Sequence, residues 1–206
     1  MTTLEAVVSG NGGVSWSQVI TITPITAAGD PGNIRSAPLP SAEIDGAGKV
    51  FVTWEDCRFR PGCTMNDLVY VTSSDGVNWS SVKRIPIDPV TSSVDHLIPG
   101  LAVDKATSGS TAHVAVAYYY FPNVGCLEAC QLDIGSISST TGGASWSAPV
   151  QLAGPMNLHW LPNTNQGWMV GDYISTSFAG GASHAALVVA KPPSANGLLD
   201  VALYDP

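Results

Sequence analysis

The chain has 206 residues, with 8 Lys and Arg against 16 Asp and Glu, a formal net charge of −8 and a pI of about 4.6. That acidic balance lacks the basic footprint that nucleic acid and anionic membrane surfaces require, and no apolar run reaches the roughly 18 residues of a membrane span. Charged residues are only 12%, against roughly 25% in ordinary domains, while 21 Gly and 15 Pro suit short strands joined by many turns.

The N-terminus "MTTLEAVVSG" has no basic stretch followed by an apolar core, so no signal peptide is read there; a secreted form would carry its signal upstream or have lost it. Residues 3–23 read as two strands around the turn "SGNGGVSW" at 9–16. Four strands follow in 36–88, "LPSAEID", "KVFVTWED", "DLVYVTSS" and "NWSSVKRIPI", with a second turn, "SSDGVNW", at 73–79. Residues 96–152 repeat the pattern with "LIPGLAVD", "AHVAVAYYYF", "CQLDIGSISS" and "SWSAPVQL", and a third turn, "STTGGASW", at 139–146. Three more strands fall in 166–206. No segment sustains a 3.6-residue apolar period, so essentially no helix is predicted.

Trp16, Trp79 and Trp146 close the three turns, spaced by 63 and then 67 residues. Even spacing of this kind signals a repeat architecture. Asp or Asn accepts backbone N–H bonds within such a turn, glycine supplies the positive φ, and each tryptophan is expected to be buried at the head of the next strand, which stabilises by roughly 2–3 kcal/mol. Four antiparallel strands per repeat are the blades of a β-propeller. The single domain, 1–206, is thus expected to hold about three blades. Strands C and D of one blade lie in 3–23, full blades in 36–88 and 96–152, and strands A to C of a last blade in 166–206.

Cys57/Cys63 and Cys126/Cys130 form two close pairs. Disulfides within each pair imply an oxidising, extracellular setting; pairing across neighbouring blades and a zinc site, which lacks the usual two-residue spacing, are the alternatives.

Strand direction sorts the chemistry-bearing residues. The turns fall at one end, and the opposite end gathers the loop "WEDCRFRPGCTMND" with Glu55, Asp56, Arg58 and Arg60, and the loop "YYYFPNVGCLEAC" with Tyr118, Tyr119, Tyr120 and Glu128. It also gathers Asp95 with His96, and His159 with Trp160. Aligning the innermost strands "PSAEID", "PGLAVD" and "GDYIST" sets Asp172, followed by Tyr173, opposite Ser41 and Gly100. A carboxylate where its siblings are small is a departure from the repeat. Arg35 is the best-placed cation.

Ser9, Asn11, Gly13, Ser15 and Trp16, their counterparts Ser139, Thr141, Gly143, Ser145 and Trp146, and Asp75 in the shorter middle copy resemble the Asp-box, or BNR, repeat of the sialidase superfamily. The resemblance implies a six-bladed propeller and a glycan partner. In active members three arginines grip a substrate carboxylate, a Tyr–Glu pair supplies the nucleophile and an Asp acts as acid/base. It points to Asp172, Tyr173, Asp95 and Glu128 as catalytic, and to Arg35, Asp56, Arg58, His96, Tyr119 and Trp160 as substrate-binding. Arg35, Arg58, Arg60 and Arg84 assemble no matching arginine triad. Hydrolysis of terminal sialic-acid-type sugars is the enzymatic expectation, and a non-catalytic glycan- or protein-binding propeller the other. No cofactor or metal is expected. Three blades cannot close a ring, so the chain is expected either to pair as a homodimer or to be part of a larger propeller.

Overall fold

The computed structural model describes residues 2–126, 129–194 and 200–204. Among them the chain is all-β, interrupted only by 3-10 turns of three residues each. β1 (Thr3–Ala6) pairs antiparallel with β2 (Ile20–Pro24). β3 (Ser41–Ile44), β4 (Val50–Asp56), β5 (Asp67–Ser73) and β6 (Lys83–Arg84) form a four-stranded antiparallel meander. β7 (Asp95–Val103), β8 (Val114–Phe121), β9 (Gln131–Ser139) and β10 (Val150–Asn157) form another. After a small hairpin of β11 (Asn163–Thr164) and β12 (Gly167–Trp168), a three-stranded sheet follows: β13 (Ser175–Ala179), β14 (Ala182–Lys191) and β15 (Asp200–Tyr204).

The three Ser-to-Trp turns join β1 to β2, β5 to β6 and β9 to β10, with one bonding scheme. Ser9 Oγ accepts from the N–H groups of Asn11 and Gly13, Ser73 Oγ from Asp75 and Gly76, and Ser139 Oγ from Thr141 and Gly143. The third turn residue then takes a later N–H: Asn11 from Ser15, Asp75 from Val77 and Asn78, Thr141 from Ser145. These donors hold the Asp75 carboxyl far below the usual carboxylate range, the Asn78 amide foremost. A serine after each tryptophan completes the scheme. The N–H groups of Ser17, Ser80 and Ser147 donate to Val8, Thr72 and Ser138, and their hydroxyls accept from the same three residues.

Three apolar clusters lie between consecutive sheets. The first holds Leu4, Val52, Trp54, Val69 and Val71. The second centres on Phe51, Leu68, Tyr70, Val114, Val116 and Tyr118. The third centres on Tyr119, Phe121, Ile134, Met156 and Leu187. β8 therefore serves two clusters, even-numbered residues facing the earlier sheet and odd-numbered ones the later, as strand alternation requires. Each turn tryptophan packs backward. Trp79 joins the cluster toward β1 and β2, and Trp146 sits 5.8 Å edge-on to Tyr70 of the preceding sheet. Trp16 is 61% exposed, against the expected burial, because the described residues place no sheet before its hairpin.

The first strands of the three larger sheets run side by side. Ser41 Oγ accepts from Leu101 N–H at 3.0 Å, and Thr176 Oγ donates to Gly100 O at 2.9 Å. A Cβ on Gly100 would stand 2.8 Å from Ile174. Thr176, not Asp172, is thus the partner of Gly100: the expected alignment is four residues out, because 169–174 runs as irregular chain before β13 instead of as part of the strand. Cys57–Cys63 and Cys126–Cys130 are disulfides, each within its own loop, and no cysteine is free.

Candidate active site

β4 and β8 end, and β5, β7 and β9 begin, at the end of the sheets opposite the three turns. Segment 25–36 crosses this end. Thr26 N–H donates to Asp56 Oδ2 at 3.1 Å, and Ala28 exchanges hydrogen bonds with the Asn66 amide at 2.8 and 3.2 Å. The segment then bridges Ile34 to Trp168 and delivers Arg35 N–H to the Trp168 carbonyl at 2.7 Å. Gly32, at φ +66°, lies where a Cβ would strike Leu158 and the Cys130 sulfur, so only glycine permits this close crossing.

Beneath the segment three carboxyl groups meet: Asp30 from the segment, Glu55 from β4 and Asp95 from β7. Glu55 and Asp95 are each 1% exposed, and Asp30 is half-buried. Glu55 accepts from Ile98 N–H at 3.2 Å. Ile98 itself has φ +49°, an uncommon conformation for a β-branched residue, at the irregularity in β7 that aims this N–H. Asp30 accepts from Ser36 Oγ and from Asn66 Nδ2, and Asp95 accepts from Asn66 N–H. Burial first, and the charge of Asp30 second, push the Glu55 carboxyl well above its ordinary value and that of Asp95 up to about 8. Burial also raises Asp30, against the hydrogen bonds from Ser36, Asp95 and Asn66. As a carboxylate, Asp95 would leave Oδ2 buried without a partner; as a carboxylic acid it donates to Asp30. Like charges this close cannot all ionise, and the proton resides on Asp95.

All four arginines are held by aspartates. Arg35 Nε and Nη2 grip Asp172 at 2.9 and 2.8 Å. Arg58 grips Asp56 at 2.8 and 2.7 Å; burial raises that carboxyl, but the bonds from Arg58, Thr26 and Trp54 together outweigh it and lower it. Arg60 and Arg84 both hold Asp67 and Asp88, at 2.6–2.9 Å. No three arginines converge. Asp67, Asp88 and His96 also lie within 4.8 Å of one another, a spacing that could hold a metal ion. The two guanidinium groups already occupy both carboxylates, so these residues do not fit one.

The other residues singled out from the sequence are dispersed. His96 is buried beside the trio's Asp95. Tyr119 is fully buried, its hydroxyl donating to Val188 O and accepting from Val188 N–H. Trp160 packs against the third cluster. Tyr173, 68% exposed, follows Asp172, and Glu128 lies outside the described residues. Trp168 and His159, 5.0 Å apart, wall an open cavity of about 1000 Å³ beside Gly32 and Asn33. Asp30 went unnoticed because "TPITAAGDPGNIRSAP" reads as a polar turn segment; Glu55 was gathered at this end from the sequence, but strand alternation gives no sign that its carboxyl is buried.

No protein-family model matches the chain, and no curated protein matches it. Among solved structures it is similar to Zg3597, a family 117 glycoside hydrolase produced by the marine bacterium Zobellia galactanivorans, with a TM-score of 0.44 and 15% identity. The match covers 82% of this chain and 53% of that one, so the chain spans about half of that enzyme's length.

Proposed function

We propose that this chain is about three blades of an Asp-box propeller of the sialidase type, secreted, and that it hydrolyses glycans with the Asp30–Asp95–Glu55 trio. The carboxyl groups of unequal acidity carry the reading, since glycosidic bond cleavage needs one carboxyl protonated and another ionised at working pH. Asp30 is the member that reaches the surface, so it meets the glycosidic oxygen. Asp30, ionised at rest, passes the Asp95 proton to that oxygen as the glycosidic C–O bond breaks and the leaving sugar departs as an alcohol. Asp30, again a carboxylate, then takes a proton from the water that attacks the sugar carbon and returns it to Asp95. Glu55 and Asp95 act through Asp30 and are positioning residues. Arg35, next to the Ser36 that bonds Asp30, serves as a substrate contact with its partner Asp172 and the adjoining Tyr173, and Trp168 and His159, beside Gly32 and Asn33, as a stacking wall. Two disulfides suit an oxidising compartment.

The arginine arrangement favours a neutral terminal sugar over sialic acid, because each guanidinium already serves an aspartate. Non-catalytic glycan binding is the second reading, favoured by the burial of Glu55 and Asp95. Val7, Val14, Trp16 and Val19 stand exposed around the first hairpin, which supports a second copy docking there to complete a ring. A panel of fluorogenic glycosides, a sialoside included, tests the enzymatic reading. Release from any of them that is lost in Asp30→Asn supports it, and glycan binding without release in wild type supports the second.

A further inference from the structure

We infer that the groove between the β3–β6 and β7–β10 sheets binds one neutral sugar ring or cyclic polyol, at a site distinct from the carboxylate trio and independent of its activity. A hollow of about 290 Å³ opens there, lined by Tyr118, Tyr120, His96, Asp88, Gln151 and Ile87. Ligand pockets run roughly 300–1,000 Å³, so this one has room for a single ring and not a chain.

Tyr118 is only 2% exposed, yet among the described residues nothing bonds its hydroxyl, nor that of Tyr120. The hydroxyl oxygen itself is not sealed from solvent: it opens into the hollow, where water or a ligand hydroxyl can bond it. The Tyr118 ring has one seat: it rests on Gly135, where a Cβ would stand 2.8 Å from the phenol. His96 packs edge-on to Tyr118 at 5.6 Å and tilted to Tyr120 at 6.3 Å. Its Nδ1 lies 3.2 Å from the Asn66 carbonyl and donates to it, leaving Nε2 as an acceptor. The hollow thus offers aromatic faces for C–H groups, two phenol hydroxyls and an imidazole acceptor, which together match a ring bearing several hydroxyls.

Charge selects the class. Asp67 and Asp88 are balanced by Arg60 and Arg84, and burial holds His96 below its ordinary pKa and neutral. Asp133, which bonds Gln151 at 2.9 Å and stands opposite Tyr120, has no cationic partner among the described residues, so the charge left beside the groove is negative and favours a neutral ligand over an acidic sugar.

The test uses isothermal titration and saturation-transfer NMR on the full chain with glucose, galactose, mannose, myo-inositol and sialic acid as probes. At least one neutral probe binds wild type. Tyr118→Phe, which keeps the ring and removes only the hydroxyl, weakens it roughly tenfold, and Tyr120→Ala weakens it at least as much. Asp30→Asn leaves this binding unchanged, which separates the site from the hydrolytic reading. Absence of binding at tens of millimolar overturns the inference. So does a preference for sialic acid, or binding that survives both tyrosine changes while circular dichroism shows the variants folded.

Discussion

Arg35 and Asp172 join by two parallel hydrogen bonds of 2.9 and 2.8 Å across 137 residues of chain. They fasten segment 25–36 to the irregular run before β13. Both side chains are about one-third exposed, so solvent screens the pair. Asp172→Asn is expected to cost about 1 kcal/mol or less in urea unfolding, and less still in high salt. A cost several times larger, insensitive to salt, would show that the pair is more deeply desolvated than its exposure indicates.

Asp95 makes stability depend on pH in the opposite sense to an ordinary paired carboxylate. Its folded pKa of about 8 lies above the unfolded value. The native state therefore holds a proton that the unfolded state releases, and stability falls as pH rises from about 4 to 8. His96, whose pKa is lowered by burial, works the other way below about pH 6.5, while Glu55 and Asp30, both raised, add to the decline, so the difference from an Asp95 variant reads Asp95 together with its coupling to these two carboxyls. Asp95→Asn should flatten the decline and stabilise the protein at pH 8 relative to wild type by roughly 2–5 kcal/mol. Parallel stability profiles for the two proteins would remove Asp95 as the proton holder.

Gly32→Ala tests whether segment 25–36 is pinned over the trio. The new methyl meets Leu158 and Cys130 at a backbone φ of +66°. A loss of roughly 1–3 kcal/mol is expected from strain and overpacking together. Gly10→Ala, where nothing lies within 4 Å and φ is not positive, is the matched control and should change little. Equal effects of the two would mean the crossing is loose.

Most of the strand order was legible because the turn chemistry repeats. The run from a serine hydroxyl through glycine to tryptophan marks each final hairpin, and the Trp-Ser pairs Trp16-Ser17, Trp79-Ser80 and Trp146-Ser147 strengthen that signal. What the repeat could not reveal is where the chain leaves it. The irregular run before β13 displaced Asp172 from the expected register, and "NWSSVKRIPI" contributes only the two-residue β6. The trio was hidden for a different reason. Its members stand 25 and 40 residues apart in sequence, and their acidity comes from mutual burial, which no local pattern encodes. Arg58 and Arg60 were visible as charges, but their aspartate partners were fixed only by the fold.

Docking through the first hairpin predicts self-association. Val14 is 85% and Trp16 61% exposed, an apolar surface that a second copy would cover. Light scattering should give a dimer mass, and Trp16→Ser should shift it toward the monomer without loss of strand signal in circular dichroism. A wild-type monomer across the micromolar range would rule out the paired ring.

The most direct test of the trio is the pH–rate profile for glycoside hydrolysis by wild type, Asp30→Asn and Asp95→Asn. Wild type should hydrolyse at least one neutral glycoside and lose rate above about pH 8, as the buried proton leaves Asp95. Asp30→Asn should lose about 100-fold or more in kcat. Asp95→Asn should retain part of the rate while its alkaline limb moves. Hydrolysis that keeps its rate in Asp30→Asn, or an alkaline limb unmoved by Asp95→Asn, would contradict the assignment of the trio as the acid/base centre.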